Sequence, residues 1–514
     1  MTAAADTILT NAEVHSLAEP DETAEAIAIR DGEVVRVDRA GEVAFLAGVE
    51  TDVIDLDGRV VLPGFVDAHT HMQTLGQYRR FADLRGATGP GDCVERLRES
   101  TGGDDPWVLG FGFDESAWAE SGYLTREDLD SVSDDRPVAA FREDMHVATV
   151  NGVALDLLEA DLPDADVRTA DGVPTGVLVE TAVDVVYRAI EPDEEATRDL
   201  LLAAQREAHR RGVIGVHDMV RRSRAPAVYR ALDLADELHL RVRLNYWSDH
   251  LDAAVETGLH SGHGSEFVRT GAIKTFTDGS FGGRTAKLSA DYADGDPGER
   301  GQWVVPPDEL RDLVRRADDA GFQVAAHAIG DEAVTAALDA FESESDDPGA
   351  ARHRVEHVEL ADDETIRRFA DLGVVASMQP NFLKWAGPDG LYEARLGTAR
   401  REATDRFPAY LDAGAHLAFG SDCMPLDPLL GVHHAVNAPT DGQRLSVTDA
   451  LRAYTLGAAY AGFDEDRLGT VGPGKKADLV VLERSPWAHH EEVRDIDVAM
   501  TLVDGEVVYD GRAD

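Results

Sequence analysis

The chain reads Val60-Val-Leu-Pro-Gly-Phe-Val-Asp-Ala-His-Thr-His-Met72 near its start, an apolar run that breaks once at Pro63-Gly64 and ends on two histidines. In an extended strand alternate side chains point the same way, so His69 and His71 face one side and Thr70 faces the other. Two imidazoles placed in this way can bind one metal ion. An isolated pair of this kind is more often an accident of composition, so the rest of the chain must supply further ligands.

The composition is that of an acidic globular protein. The 514 residues can bury more than one core, because single cores stop growing at about 250–300 residues. Asp and Glu number 98 against 49 Lys and Arg, and the formal net charge of -49 is spread along the whole chain. Such diffuse acidity predicts adaptation to a high-salt cytoplasm, where salt screens the self-repulsion, and it argues against nucleic-acid binding. An acidic protein at ordinary salt is the alternative.

The cysteine count and the first residues of the chain indicate the cellular compartment in which the protein is expected. The two cysteines, Cys93 and Cys423, are too few for a disulfide framework and indicate a reducing compartment. The first twenty residues have no basic start and no sustained apolar run, and no stretch is apolar enough to cross a bilayer. We therefore expect a cytoplasmic protein without a signal peptide or a membrane partner. Cys423 is expected to be a buried thiol and not a nucleophile.

Both ends of the chain read as short strands joined by turns. Residues 26–37 predict a hairpin with Asp31-Gly32 at its tip, and Asp504-Gly505 marks a similar turn near the other end. We expect residues 1–63 and 468–514 to be two parts of one small β-sandwich that carries no candidate chemistry. Residues 64–467 then form a second, larger domain.

Apolar runs alternate with amphipathic helical stretches from about residue 193 to residue 462, as in a barrel of alternating strands and helices. Helices are predicted, for example, for residues 307–321 and 362–373. Together with the strand that ends at His71, seven later runs give the eight strands of a (β/α)8 TIM barrel. These runs are 213–217, 240–244, 271–276, 322–327, 353–357, 374–378 and 416–420.

Residues 73–192 interrupt this alternation between the first and second strands. The segment contains Gly and Asp clusters and the aromatic residues Trp107, Phe111, Phe113 and Trp118. Long insertions after barrel strands lie over the active-site face, so we expect this segment to be a substrate lid. Its aromatic residues would then favour an apolar substituent on the substrate. Surface decoration is the alternative interpretation.

Four later residues that can bind a metal lie at the ends of predicted strands, namely Lys274, His327, His357 and Asp422. In a barrel the carboxyl ends of the strands converge on one mouth, so residues far apart in sequence can surround one point. Taken singly, a core histidine, a turn-capping aspartate or a solvent-directed lysine would be an ordinary structural residue. Their common placement favours a metal site, and imidazole and carboxylate suit zinc or a similar divalent ion. A buried lysine with a lowered pKa can also react with carbon dioxide to give a carbamate, which is a bridging carboxylate.

Six motifs of the chain resemble those of the metal-dependent amidohydrolase superfamily, and within it the amidohydrolase-3 group of YtcJ-like proteins and N-substituted formamide deformylases. The resemblance spans nearly the whole chain and does not fix the substrate. Its marks are Leu62-Pro-Gly-Phe-Val-Asp-Ala-His-Thr-His71, Ile273-Lys-Thr-Phe-Thr-Asp-Gly-Ser-Phe-Gly-Gly-Arg-Thr-Ala286, His327-Ala-Ile-Gly-Asp331, Arg354-Val-Glu-His357, Ser377-Met-Gln-Pro380 and Gly420-Ser-Asp422.

The resemblance implies a site for two divalent metal ions, with zinc the expected ion. His69, His71 and Asp422 would bind the more buried ion. His327 and His357 would bind the more exposed one. Superfamily members differ in whether they use a carbamate and in whether they hold one or two metals, but here a carbamylated Lys274 would bridge the two ions.

The resemblance also implies a mechanism. A hydroxide shared by the two ions would attack the substrate carbonyl, and Asp422 would take its proton and pass it to the leaving amine. Arg284, in the loop after the lysine strand, is a candidate to bind a substrate carboxylate or carbonyl, although a structural ion pair is an equal interpretation. His217, at the end of the second strand, is a candidate neighbour of the ligands.

We therefore predict a hydrolase that acts on a carbon-nitrogen bond other than a peptide bond, in a small-molecule amide or N-substituted formamide. A deaminase or a hydrolase of lactones or esters could use the same metals. A non-catalytic barrel that serves as a scaffold is an alternative from another class, but a scaffold has no need of Asp422 beside four histidines. A homodimer stays open.

Overall fold

The computed structural model describes residues 4–100, 105–115, 118, 122–143 and 147–513. The chain divides into two compact units, Met1–His71 with Gln205–Asp514 and Met72–Ala204. No helix among the described residues is both long enough and apolar enough to cross a membrane.

Seven short strands precede the barrel. The predicted hairpin is present, and its tip residues Asp31 and Gly32 both have positive φ, as a tight two-residue turn requires. The strands are β1 (Thr7–Thr10), β2 (Glu13–His15), β3 (Thr23–Ala24), β4 (Ala26–Arg30), β5 (Glu33–Asp38), β6 (Asp52–Asp55) and β7 (Val60–Pro63).

The chain passes into the barrel at Gly64. A β-carbon at this position would lie 2.5 Å from the side chain of Ile214, so only glycine fits between β7 and the next strand. That next strand is β8 (Phe65–Thr70), the first strand of the barrel. The break at Pro63-Gly64 in the sequence therefore marks the passage from one sheet to another.

The unit Met72–Ala204 has a six-stranded sheet of its own, in the order β13-β14-β12-β11-β10-β9. The sequence predicts an insertion at about 73–192, and the unit is slightly longer. The expected role of its aromatic residues is wrong, because Trp107, Phe111, Phe113 and Trp118 are buried in the hydrophobic cores of this unit. They pack the unit and do not indicate a substrate. Its strands are β9 (Ala82–Asp83), β10 (Val108–Phe113), β11 (Val138–Arg142), β12 (Val147–Val150), β13 (Val167–Ala170) and β14 (Val173–Val179).

The predicted barrel is confirmed. Eight parallel strands follow the order β21-β20-β19-β18-β17-β16-β15-β8, and the two strands at the ends of this order contact each other. The backbone N–H of Asp422, which follows β21, donates to the carbonyl of His69 in β8 at 2.7 Å. The later strands are β15 (Val213–Val220), β16 (Arg241–Trp247), β17 (Val268–Phe276), β18 (Val324–Ala328), β19 (Arg354–His357), β20 (Val375–Met378) and β21 (His416–Phe419).

The last three strands complete the composite sandwich predicted from both ends of the chain. They are β22 (Leu479–Leu482), β23 (Val498–Val503) and β24 (Glu506–Asp510), and β22 pairs antiparallel with β7. One sheet has the order β5-β4-β1-β6 and the other β24-β23-β22-β7-β2-β3. A single hydrophobic cluster contains residues of both sheets, among them Ile27, Val61 and Leu479.

The helix α12 illustrates how the sequence sets the helix ends. The Asp362 side chain accepts a hydrogen bond from the N–H of Thr365 at the start, and Gly373 is left-handed at the end. The helices are α1 (Ala40–Val43), α2 (Met72–Arg80), α3 (Pro90–Glu99), α4 (Arg126–Asp130), α5 (Gly152–Leu158), α6 (Thr181–Ala189), α7 (Glu194–Arg210), α8 (Ala225–Leu234), α9 (Leu251–Glu256), α10 (Pro307–Asp319), α11 (Asp331–Glu344), α12 (Asp363–Leu372), α13 (Leu391–Leu396), α14 (Thr398–Arg401), α15 (Phe407–Ala413), α16 (Pro428–Val436), α17 (Val447–Arg452) and α18 (Ala458–Ala461).

Candidate metal centre

His69 and His71 are oriented by hydrogen bonds at one ring nitrogen each. His69 Nδ1 donates to Glu356 Oε2 at 2.6 Å, and His71 Nδ1 donates to the carbonyl of Met219 at 3.2 Å. Each ring then turns Nε2 toward the site, and a hydrogen bond from the other ring nitrogen is the usual arrangement for a histidine that binds a metal. The two Nε2 atoms lie 3.6 Å and 3.2 Å from Asp422 Oδ1.

Asp422 follows the last barrel strand in an unusual backbone conformation. Asp422 and Cys423 have φ values of 53° and 59°, and His357 has a φ of 73°. Left-handed backbone at residues other than glycine costs free energy and is concentrated at functional sites. Burial alone would raise the pKa of Asp422, but His69, His71 and Lys274 outweigh it and hold the pKa below its ordinary value. The side chain is therefore a carboxylate at neutral pH.

His327 and His357 lie beside the first pair of histidines. The ring centroids of His69 and His357 are 4.9 Å apart, and those of His327 and His357 are 4.5 Å apart. His327 Nε2 donates to the carbonyl of Gly279 at 3.0 Å, so its Nδ1 holds the free lone pair. Burial lowers the pKa of His327 to about 3, and burial together with the positive neighbours lowers the pKa of His357 well below its ordinary value. Both rings are thus neutral, as metal binding requires.

Lys274 is close enough to the other candidate ligands to influence their ionisation. Its charge affects the pKa values of His69, His71, His327, His357 and Asp422. The side chain is 1% exposed, and its Nζ has no hydrogen-bond partner among the described residues. Burial, more than any neighbouring charge, lowers its pKa to about 8. A lysine in this state is far easier to deprotonate than one in water.

The residues present fit a divalent cation. Ligand atoms of His69, His357 and Asp422 all lie within 4.8 Å of one another. Two buried polar atoms, Lys274 Nζ and His357 Nδ1, have no partner among the described residues, and buried polar groups without partners are rare unless a ligand satisfies them. Neutral imidazoles and a carboxylate are also the donors that zinc prefers. Of the other predicted ligands, His71 lies 5.8 Å from His69 and His327 lies 4.5 Å from His357, measured between ring centroids.

A second aspartate, Asp278, holds the loops around His327. Its carboxylate accepts hydrogen bonds from the backbone N–H groups of Lys287, Ile329 and Gly330 at 2.7, 3.0 and 2.9 Å. Burial raises the pKa of Asp278 to about 7, although the three N–H groups oppose this shift. The sequence analysis quoted this residue within a motif and assigned it no role.

Glu356 and Arg354 were also missed as members of the site. Glu356 is fully buried, accepts the hydrogen bond from His69 and pairs with Arg354 Nε at 2.5 Å. One sequence signal could have found them. A strand of four residues in the barrel has charged residues at alternate positions, Arg354 and Glu356, where interior positions are ordinarily filled by branched apolar residues.

The remaining candidates have structural partners. Arg284 donates to both carboxylate oxygens of Asp294 at 3.1 and 2.8 Å, which is the ion-pair alternative, and its role in substrate binding stays a prediction. His217 Nδ1 accepts a hydrogen bond from Arg354 at 2.8 Å. Cys423 is buried, and burial raises the pKa of its thiol to about 12, as expected for a thiol that is not a nucleophile.

A parallel barrel that gathers four histidines, a lysine and an aspartate at its carboxyl end is the architecture of a metal-dependent hydrolase. The sequence model described as the amidohydrolase family, Amidohydro_3, matches residues 52–509. The chain belongs to this family.

Three relatives cover almost the whole chain. YtcJ of Bacillus subtilis (strain 168), named a candidate amidohydrolase, is 31% identical over 97% of this chain and 98% of its own. The N-substituted formamide deformylase of Arthrobacter pascens is 27% identical over 99% of each chain. The crystal structure of an uncharacterized metal-dependent hydrolase from Pyrococcus furiosus has a TM-score of 0.80 and 31% identity, covering 94% of this chain and 99% of that one.

Proposed function

We propose that this protein hydrolyses a carbon-nitrogen bond other than a peptide bond, in an amide or an N-substituted formamide, at a site that binds two divalent ions, expected to be zinc. The observation that carries the proposal is the convergence of His69 and His71 on Asp422, with Nε2 of the two rings 3.6 and 3.2 Å from the same carboxylate oxygen. The similarity to a formamide deformylase along the whole chain supports this substrate class.

The ligands divide into two groups in this proposal. His69, His71 and Asp422 would hold one ion, and His327 and His357 would hold the other. The uncharged amine of Lys274 would add carbon dioxide, giving a carbamate and releasing a proton, and this carbamate would supply a carboxylate ligand to both ions. The lowered pKa of Lys274, about 8, supports this step because about a tenth of the amine is then uncharged near pH 7.

The chain's own groups supply the proton transfers. Bound divalent ions polarise a substrate carbonyl and lower the pKa of water toward neutrality. Asp422, ionised at neutral pH, takes the proton of the attacking water and then passes it to the leaving nitrogen.

A substrate screen tests the proposal. The protein is assayed in concentrated KCl, because its net charge is -49, against N-substituted formamides, N-acyl amino acids, cyclic amides, purine and pyrimidine amines, lactones and esters. We expect formate or a carboxylate and an amine from the first groups, and loss of turnover after chelation. Turnover of lactones or ring amines alone would contradict the proposed bond and favour the alternatives.

A matched pair of variants separates the metal centre from general damage. His69→Gln removes one candidate ligand. His209→Gln removes another buried histidine, whose Nε2 donates to the carbonyl of His239 at 2.8 Å and which is not a candidate ligand. The first variant is expected to lose turnover and metal, and the second to keep both. Equal effects of the two substitutions would refute the site.

A further inference from the structure

Arg354 is a buried arginine inside the barrel that contacts four strands. It is among the largest side chains with less than 2% exposure. Its Nη2 donates to the carbonyl of Ala68 on β8 at 2.5 Å and to Ser377 Oγ on β20 at 2.7 Å. Its Nη1 donates to His217 Nδ1 on β15 at 2.8 Å, and its Nε donates to Glu356 Oε1 on its own strand, β19, at 2.5 Å. Each of the three guanidinium nitrogens thus donates at least one hydrogen bond.

The orientation of Glu356 follows from this arginine. Because Oε1 is held by Arg354, the other oxygen, Oε2, is turned toward His69 and accepts from its Nδ1 at 2.6 Å. Ser377 donates to the same Oε2 at 2.7 Å, so the hydroxyl shared with Arg354 also restrains the carboxylate. Rotation of Glu356 would break hydrogen bonds to three side chains.

The orientation of His69 follows in turn from Glu356. A ring that donates from Nδ1 has its lone pair on Nε2, and this atom is the one that lies 3.6 Å from Asp422. A change of tautomer would place a hydrogen on Nε2 and remove the lone pair that a metal needs. His69 and Glu356 are 287 positions apart in sequence, so only the closed barrel brings them together.

We propose that Arg354 is a positioning residue of the metal centre. It acts through Glu356 to hold His69 in the tautomer that has its lone pair on Nε2. His217, on the opposite side of the barrel, fixes the guanidinium by accepting its hydrogen bond. This inference rests on the proposed metal site. The ion pair of Arg354 and Glu356 then does more than link strands. This role explains why a charged pair occupies a barrel interior in which apolar residues would be easier to bury.

The structure offers a control that separates this role from strand linkage. Arg241 is also buried, at 4% exposure, and pairs with Asp478 at 2.5 Å and with Asp504 at 2.7 Å. None of these residues contacts a candidate ligand among the described interactions. Arg241→Gln therefore removes a buried arginine ion pair of similar geometry without touching the site.

The test measures zinc affinity and tautomer in folded protein. Zinc binding to wild type, Arg354→Gln, Arg354→Lys and Arg241→Gln is measured by competition with a chelator in concentrated KCl. We expect Arg354→Gln to lose about 10- to 100-fold in affinity, Arg354→Lys to lose less, and Arg241→Gln to bind as wild type. Unchanged affinity in Arg354→Gln, or an equal loss in Arg241→Gln, would overturn the inference.

A second measurement is independent of metal binding. Selective ¹⁵N labelling of histidine in the metal-free protein reports which ring nitrogen of His69 carries the hydrogen. Wild type should show Nδ1–H, and Arg354→Gln should shift toward Nε2–H; an unchanged tautomer would contradict the inference even if the wild-type protein binds metal. If Arg354→Gln does not fold, the variant His217→Gln tests the inference instead. Its zinc affinity should fall about tenfold, and an unchanged affinity would count against the inference. Failure of wild type to bind zinc would instead refute the proposed function.

Discussion

Replacing Lys274 by methionine should stabilise the metal-free protein while abolishing its metal site. The lysine is 1% exposed, and its Nζ has no partner among the described residues. Its pKa falls from an ordinary 10.5 to about 8 in the folded chain, chiefly through burial. Methionine is unbranched, only one heavy atom shorter and uncharged, so the substitution removes this penalty with little loss of packing.

The magnitude follows from the two pKa values. A group whose folded pKa is lowered destabilises the fold while it is protonated in both states, and the penalty disappears as pH rises through the unfolded pKa. Lowering the pKa of Lys274 from 10.5 to about 8 corresponds to about 3 kcal/mol at pH 7, since each tenfold change in the protonation constant is worth about 1.4 kcal/mol. At pH 9.5 the remaining penalty is about 1.4 kcal/mol.

Denaturant unfolding of the chelated protein in concentrated KCl measures these free energies for wild type and Lys274→Met at pH 7 and pH 9.5. We expect the variant to be more stable at pH 7 and its advantage to shrink at pH 9.5. Lys287→Met is the control, because Lys287 is partly exposed and pairs with Glu332 at 3.3 Å, so its loss should change stability by less than about 1 kcal/mol. A Lys274→Met variant that is less stable than wild type, or whose advantage does not depend on pH, would refute the reasoning.

Three further predictions concern activity and salt. Asp422→Asn should lower kcat by about 10²- to 10⁴-fold. Asp427 is a buried aspartate that caps α16, and Asp427→Asn should retain most of the wild-type kcat; similar losses in both variants would contradict an acid-base role for Asp422. Lys274→Ala should lose metal and turnover and recover part of both with added short carboxylic acids, and wild-type turnover in Lys274→Arg would rule out the carbamate because arginine cannot form it. The melting temperature should rise steeply with KCl, since salt screens a net charge of -49, and a melting temperature independent of KCl would contradict adaptation to high salt.

The barrel could be predicted from the sequence because its strands are buried on both faces. Each of the eight predicted runs contains or overlaps an observed strand, from Phe65–Thr70 to His416–Phe419. Most of these runs are largely apolar and alternate with amphipathic helices such as Pro307–Asp319, a combination typical of a parallel sheet covered by helices. The position of the candidate ligands could be predicted for a related reason, since a polar residue at the end of such a run lies at the barrel mouth.

The partners of the ligands could not be predicted, because they depend on which strands face each other. Nothing in the local sequence of His69 indicates that Glu356 accepts its Nδ1–H, and Arg354 meets the carbonyl of Ala68 only across the barrel. The aromatic residues of the unit Met72–Ala204 misled for another reason. A hydrophobic pattern reports burial but not the cavity or core in which a side chain is buried, and Phe111 proved to stack on Phe141 at 4.9 Å within that unit's own core.

The number of divalent ions bound per chain tests the metal centre most directly. Metal-free protein is titrated with zinc in concentrated KCl, and the end point is checked by elemental analysis of the protein after removal of unbound ions. The six converging residues His69, His71, Lys274, His327, His357 and Asp422 predict saturation at two ions per chain, with bound carbon dioxide released on acidification. Fewer than one ion per chain would contradict a metal-dependent mechanism, and saturation at a single ion would contradict the bridging role of Lys274.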